Sequence, residues 1–408
     1  MRVASAGSFA PWHATSARCD AWRAIRKGIF LVRSAKGRRT AASIALLAGG
    51  LALSACVSSG PRPAPSTGTG TGAGTQPWRP SGSPAPRPTP IVRADPGAQR
   101  PPAGLEPALN ELWRTFPGRT GVAVRRIDGN WSIARRGDEY FPQQSVSKTW
   151  VTLTVLSQVD QGRLRLNDAV TITPDDLTLF HQPLATRVRT QGQVNETVGS
   201  LIEIAITGSD NTANDSLLRT VGGPAAVRDV IARAQLGRIR FGPGERLLQS
   251  GIAGMAWQQR YSVARNFQAA REQVPLPMRR AALQRYLADP EDGASPQAIV
   301  DALARLARGE LLSPSSTRLM LDTMARTTSG PQRLRAGVPA GWQVAHKTGT
   351  GQELEGLATG YNDIAILTAP DGTRYAVAVM LGSTTASVPD RMRFMQAISG
   401  TVAAYHGQ

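Results

Sequence analysis

Lysine is nearly missing from this chain. Of 47 basic residues in 408, only Lys27, Lys36, Lys148 and Lys347 are lysines; the rest are arginines. Arginine stays protonated at any working pH, whereas a lysine amine can be pushed toward neutrality by burial or a cationic neighbour and then accept a proton. Each remaining lysine is therefore informative. Cysteine is scarcer still, with Cys19 and Cys56 alone, both early in the chain. Beyond residue 56 no disulfide can form, and thiolate nucleophiles and thiolate metal sites are excluded. The four histidines, His13, His181, His346 and His406, show no metal-ligand spacing, so a metal site is not expected, and no organic cofactor is expected either. The net charge of +18 does not mark a nucleic-acid surface. Nine basic residues fall within the first 56 against Asp20 alone, and the later arginines form no run and do not alternate with aromatics.

What is present begins with a secretion signal. The mostly apolar run "TAASIALLAGGLALSA" (40–55) follows the basic "RSAKGRR" and ends in small residues, and it is short for a membrane span. Its end, "LSAC", looks like a bacterial lipobox, so residues 1–56 are expected to be a lipoprotein signal peptide with Cys56 lipidated as the mature N-terminus. Residues 57–104 are dominated by Pro, Gly, Ser and Thr and cannot bury a core, which predicts a disordered tether reaching about 40 Å. The folded part is expected over 105–408.

The ends of that part differ from its middle. "LEPALNELWRTF" has helical spacing, and "GVAVRRI" and "WSIARRG" read as strands around a turn at Asp128, Gly129 and Asn130. Near the other end, "NDIAILTAPDGTRYAVAVML" reads as a hairpin and "PDRMRFMQAISGTVAAYH" as a closing helix. The middle is mainly helical. The fold class is α/β: an antiparallel sheet built from both chain ends, with an inserted helical subdomain.

Three short motifs carry the chemistry. Ser145 follows the turn "FPQQ" and opens an apolar helical run, with Lys148 one turn on along the same face, so one rigid element offers a nucleophile and a proton acceptor. Ser209-Asp210-Asn211 ends another apolar helical stretch. Lys347-Thr348-Gly349 precedes the C-terminal hairpin. The two lysines beyond residue 56 both fall in these motifs. The ordered trio resembles the serine β-lactamase and penicillin-binding protein superfamily, and the chain from about Leu105 to Gln408 resembles class A β-lactamases in particular. "SGPQRLRAGVPAGWQVAHKTGTG", "SDNTANDSLLRTVGGP" and "SPQAIVDALARLARGELLSPSSTRLMLDTM" carry that likeness beyond the motifs.

The resemblance implies a β-lactamase and transpeptidase-like fold and assigns roles. Ser145 would attack the β-lactam carbonyl, with its own N–H and that of Thr350 as the oxyanion hole. Lys148 would be general base or relay; Ser209, helped by Lys347, would protonate the lactam nitrogen; and Asn211 would hold the acyl side-chain amide. Lys347, Thr348, Thr350 and Arg333 would bind the substrate carboxylate. Within "ERLLQ", Glu245 would activate the deacylating water, as a glutamate on the Ω loop does in class A. There the sequence departs from the pattern: Gln249 and Asp215 stand where asparagines are usual, and no arginine stands two residues before Glu245 to meet Asp292, which is similar to the loop-closing aspartate. Two nearby carboxylates would raise at least one pKa.

A segment at about 250–290 is some thirty residues longer than usual for class A, and its spacing predicts two short helices enlarging the Ω loop. The function implied is a class A-type β-lactamase working through an acyl-serine and conferring β-lactam resistance. The alternatives are a D-Ala-D-Ala peptidase acting on peptidoglycan stem peptides and a sensor acylated once by β-lactams. The expected setting is a monomer, lipid-anchored through Cys56 in the periplasm, the outer membrane being slightly favoured, with no nucleic-acid partner.

Overall fold

The computed structural model describes residues 100–408. The expected signal peptide, Cys56 and nearly all of the expected tether lie outside the described residues. From Leu105 onward the chain builds one large sheet, whose strands are here β1 (Arg119–Arg126), β2 (Ser132–Arg135), β3 (Gln343–Gly349), β4 (Glu353–Leu354), β5 (Leu357–Thr368) and β6 (Arg374–Thr384). Their order is β2-β1-β6-β5-β3, with β4 on β5, and every pairing is antiparallel. The first strand thus lies against the last, as expected from the two ends of the sequence.

Both faces of the sheet are covered, which is why its central strands read as nearly unbroken apolar runs. Strand alternation still sorts the side chains. Val122 and Val124 of β1 and Val377, Val379 and Leu381 of β6 face a core completed by Leu105, Leu109 and Trp113 of the Leu105–Thr115 helix and by Phe394, Ile398 and Val402 of the Val388–Ala404 helix. Ala123, Ala376, Ala378 and Met380 face the other way, into the core of the helical region.

At the centre of that region runs the Lys148–Asp160 helix. Every residue from Lys148 to Leu156 is buried, so it has no amphipathic stripe and must be enclosed by neighbouring helices. The long apolar stretch around Ser209 forms two helices, Val198–Thr207 and Asn211–Thr220, broken at Gly208 and Ser209. Asp210 caps the second: its carboxylate accepts from Ala213 N–H at 2.9 Å and from Leu184 N–H at 2.7 Å. The break thereby brings Ser209 to the surface of the cleft.

The segment expected to enlarge the Ω loop contains the two expected helices, Asn266–Gln273 and Leu276–Ala288. Each packs into its own small apolar cluster. Phe267 joins Leu179, Ala253 and Tyr261, while Leu283 and Tyr286 pack on Leu248 and Ile252 of the Glu245–Ile252 helix.

Candidate active site

Ser145 sits on a constrained turn. Phe141–Pro142 pairs with Gly293–Ala294, and the chain then enters a 3₁₀ turn at Gln144–Ser147 that runs into the Lys148–Asp160 helix. Gln144, next to Ser145, has φ 53°, a left-handed conformation that costs a side-chain-bearing residue roughly 1–2 kcal/mol. Its surroundings hold it there. Its N–H donates to Asp292 Oδ2 at 2.7 Å, its Nε2 donates to the Tyr286 hydroxyl, and its Oε1 accepts from Gln249 Nε2 at 2.8 Å. On the sheet side, Asn362 Nδ2 donates to the carbonyls of Pro142 (2.7 Å) and Gln143 (3.0 Å). Strand β3 comes so near that a Cβ on Gly349 would lie 2.4 Å from the Gln143 carbonyl oxygen. Only glycine fits there.

Lys148 is 1% exposed, and its Nζ donates to Ser145 Oγ at 3.0 Å. The same amine lies 3.8 Å from Glu245 Oε2. Lys148 therefore stands between a hydroxyl and a carboxylate, able to pass a proton from one to the other. The carboxylate is aimed by its neighbours: Glu245 opens its helix directly after Gly244, whose φ of 97° makes the entry turn, and Oε1 accepts from Asn211 Nδ2 at 3.0 Å. Asn211 Nδ2 also donates to the Leu179 carbonyl at 2.9 Å.

The second hydroxyl faces the first from across the cleft. Ser209 has φ 59°, and its Oγ accepts from Lys347 Nζ at 2.8 Å; the same amine donates to the Thr348 carbonyl at 2.9 Å. Lys347 is fully buried. Burial, reinforced by the charges of Lys148 and Arg333, holds its pKa well below the ordinary lysine value. A proton on this amine is thus easily given up.

Arg333 lies beside β3 and is held on several sides. Arg333 Nη1 donates to the carbonyls of Gly349 (3.0 Å) and Asn362 (2.6 Å), Nη2 donates to Thr350 Oγ1 at 2.6 Å, and the guanidinium lies 3.8 Å over the Tyr361 ring. Thr348 Oγ1 shares a 2.8 Å hydrogen bond with Ser329 Oγ. Ser145, Ser209, Asn211, Glu245, Thr348, Thr350 and Arg333 all line one cleft of about 510 Å³. Lys148 and Lys347 sit beneath its floor, bonded to the Ser145 and Ser209 hydroxyls respectively. The three sequence motifs and Glu245 therefore converge on one site.

The model of the beta-lactamase enzyme family matches residues 104–406, most of the described chain. The chain belongs to that family. It is similar to a beta-lactamase of Mycobacterium tuberculosis (strain ATCC 25177 / H37Ra), with 32% identity over 289 residues, covering 70% of this chain and 81% of that protein. The extended-spectrum beta-lactamase PER-1 of Pseudomonas aeruginosa is 30% identical over 262 residues, covering 64% of this chain and 74% of its own. Among solved structures, an ancestral class A beta-lactamase has 30% identity and a TM-score of 0.57, over 74% of this chain and 99% of that one. A beta-lactamase from Chitinophaga pinensis DSM 2588 has 27% identity and a TM-score of 0.60, over 74% and 98%. The class A resemblance read from the motifs agrees with these neighbours.

Within this beta-lactamase frame, the departures noted in the sequence are built into compensated contacts. Gln249 reaches back to Gln144, and its own carbonyl and Oε1 accept from Gln352 Nε2 at 2.8 and 3.0 Å. Among the described residues Asp292 has no arginine partner; it accepts from Gln144 N–H and from the Tyr286 hydroxyl, the latter at 3.0 Å. Burial pushes its pKa up to about 6. Asp215 accepts the Glu245 backbone N–H at 3.2 Å. Burial first, and the charge of Glu245 second, push Asp215 up to about 6 as well.

Tyr286, Gln144, Ser329, Gln352 and Arg271 are site residues that the sequence did not single out. None belongs to a motif. Tyr286 and Arg271 lie in the insertion, where helical spacing marks the apolar face but not the cleft it meets.

Proposed function

We propose that the chain is a serine β-lactamase that hydrolyses the β-lactam amide through an acyl-enzyme on Ser145. Ser145 Oγ attacks the lactam carbonyl while its proton passes to Lys148, and the backbone N–H groups of Ser145 and Thr350 stabilise the oxyanion. The lactam C–N bond breaks as Ser209 gives its proton to the nitrogen, Lys347 resupplies Ser209, and the proton taken up by Lys148 restores Lys347. Glu245 then takes a proton from water, the hydroxide oxygen adds to the ester, and Ser145 Oγ leaves with that proton passed from Glu245 through Lys148. Arg333, Lys347, Thr348 and Thr350 hold the substrate carboxylate, and Asn211 orients the acyl side chain.

The observation that carries this reading is the Glu245 carboxylate 3.8 Å from Lys148 Nζ on the wall of the Ser145 cleft. A peptidase or one-shot sensor does not need that carboxylate. The test is intact mass of the protein mixed with excess benzylpenicillin and sampled over time. Penicilloate should accumulate with no lasting adduct, and Glu245→Gln should trap the acyl-enzyme. A native adduct that persists for hours would replace this reading with the peptidase or sensor.

The location belongs to the same proposal: Cys56, supported by the "LSAC" sequence, would anchor the enzyme to a bacterial membrane on its periplasmic face. A Cys56→Ala chain should then move from the membrane fraction to the soluble one.

A further inference from the structure

Arg333, Leu334 and Arg335, three consecutive residues, each fasten to strands β3 and β5. Arg333 takes the cleft side, reaching the Gly349 and Asn362 carbonyls and the Thr350 hydroxyl. The next two meet a buried pair that the reaction does not use. The Leu334 N–H donates to Asp363 Oδ2 at 3.1 Å, and His346 Nδ1 lies 3.0 Å from Asp363 Oδ1. Arg335 Nε lies 3.4 Å from His346 Nε2, while its Nη2 donates to the Ala325 and Val344 carbonyls at 2.7 and 3.0 Å. His346 and Asp363 are both fully buried. These partners fix the imidazole's proton: a guanidinium can only donate, so Nε2 accepts from Arg335, and the neutral ring carries its proton on Nδ1 and donates it to Asp363. The Leu334 carbonyl accepts from Ser399 Oγ at 2.8 Å, so the residue after Arg333 is held at both of its peptide groups.

We propose that His346 and Asp363 are positioning residues for recognition of the substrate carboxylate: a neutral imidazole in one tautomer aims the Asp363 carboxylate at the Leu334 N–H, and that contact sets where the Arg333 fork stands against Thr350 and β3. This rests on the β-lactamase reading and deepens its account of how the carboxylate is held. Neither residue lines the cleft, so neither touches substrate, and each acts through Arg333. Asp363 is also the register partner of Thr348, another residue of the same wall. Pairing of a guanidinium with a carboxylate depends on direction as well as distance, so a fork displaced by a slack turn loses much of its grip while the Ser145 and Lys148 geometry stays intact.

The experiment compares benzylpenicillin with its methyl ester, which lacks the free carboxylate, in the native enzyme and in His346→Asn and His346→Gln. The first variant puts an amide nitrogen near the place of Nδ1, where it can still donate to Asp363; the second carries its amide out to the place of Nε2 and leaves Asp363 without that donor. The ratio of kcat/KM, acid over ester, should exceed one in the native enzyme, fall about tenfold in His346→Gln, chiefly through KM, and keep most of its value in His346→Asn. Asp363→Asn offers one neutral acceptor to two donors and should lower the same ratio, a result that does not depend on the His346 variants folding. A merely structural loss would lower kcat/KM for acid and ester alike. That outcome, a native ratio of one or below, a ratio unmoved in His346→Gln or Asp363→Asn, or equal falls in His346→Asn and His346→Gln overturns the positioning role while β-lactam hydrolysis stands. If the native enzyme opens neither compound, the β-lactamase reading fails and the inference with it.

Discussion

The Asp215 carboxylate holds the backbone N–H of Glu245 at 3.2 Å, so two buried carboxylates meet at the entrance of one helix. One fixes the backbone and the other faces the cleft. An asparagine at 215 could accept the same N–H without bringing a second negative charge.

That difference has a pH signature. The folded protein holds a proton on Asp215 up to about pH 6, whereas the ordinary carboxylate value is 3.8. Its contribution to stability is therefore full below about pH 4 and is lost as pH rises through about 6. Asp215→Asn should escape that loss, so its Tm advantage over the native protein should grow by a few degrees between pH 4 and pH 7.5. Asp292 titrates in the same window but is common to both proteins. Melting curves at the two pH values check this; an advantage independent of pH would mean that Asp215 is ionised throughout.

Lys148→Arg places a permanent positive charge between Ser145 and Glu245 and removes the ability to accept a proton. Acylation should slow by about 10²–10⁴-fold, seen as slower growth of the benzylpenicilloyl adduct in a mass time course. Native-like acylation in this variant would leave Lys148 as a structural counter-charge only.

Tyr286→Phe removes the hydroxyl that joins Gln144 Nε2 to Asp292 Oδ1. A buried donor and acceptor are left short of a partner, at a cost of about 1–3 kcal/mol. The urea midpoint should fall with little change in the slope of the transition. No fall in the midpoint would mean that water or Gln249 takes over the contact.

Arg333→Lys replaces a fork that meets Gly349, Asn362 and Thr350 together with a single ammonium. KM for benzylpenicillin should rise about tenfold. An unchanged KM would assign the substrate carboxylate to Lys347 and Thr348 alone.

Much of this was legible in the sequence where residue identity and local spacing suffice. Ser145 and Lys148 share a helix face, the Ser209 motif ends an apolar helix, and strands from both chain ends pair through the valines and alanines that alternate along β1 and β6. Glu245 was legible as well, and its carboxylate does meet Lys148. What the sequence concealed depends on long-range burial. That Asp292 would turn to a tyrosine and a backbone N–H in place of an arginine follows from the Leu276–Ala288 helix docking on the Glu245–Ile252 helix, and no local pattern encodes where a helix docks. The left-handed turn at Gln144 was equally hidden, since glutamine carries no preference for it.

The contact between Tyr286 and Gln144 also bears on how this enzyme could be re-engineered. A helix far along the chain braces the residue beside Ser145, so the Leu276–Ala288 segment and the Ser145 turn are mechanically one part. A shortened version, or a chimera taking its loop from a relative, would have to supply new partners for Gln144 and Asp292 at the same time. Without them the graft should yield a folded protein whose serine is poorly aimed, and selection for hydrolysis would first restore the brace.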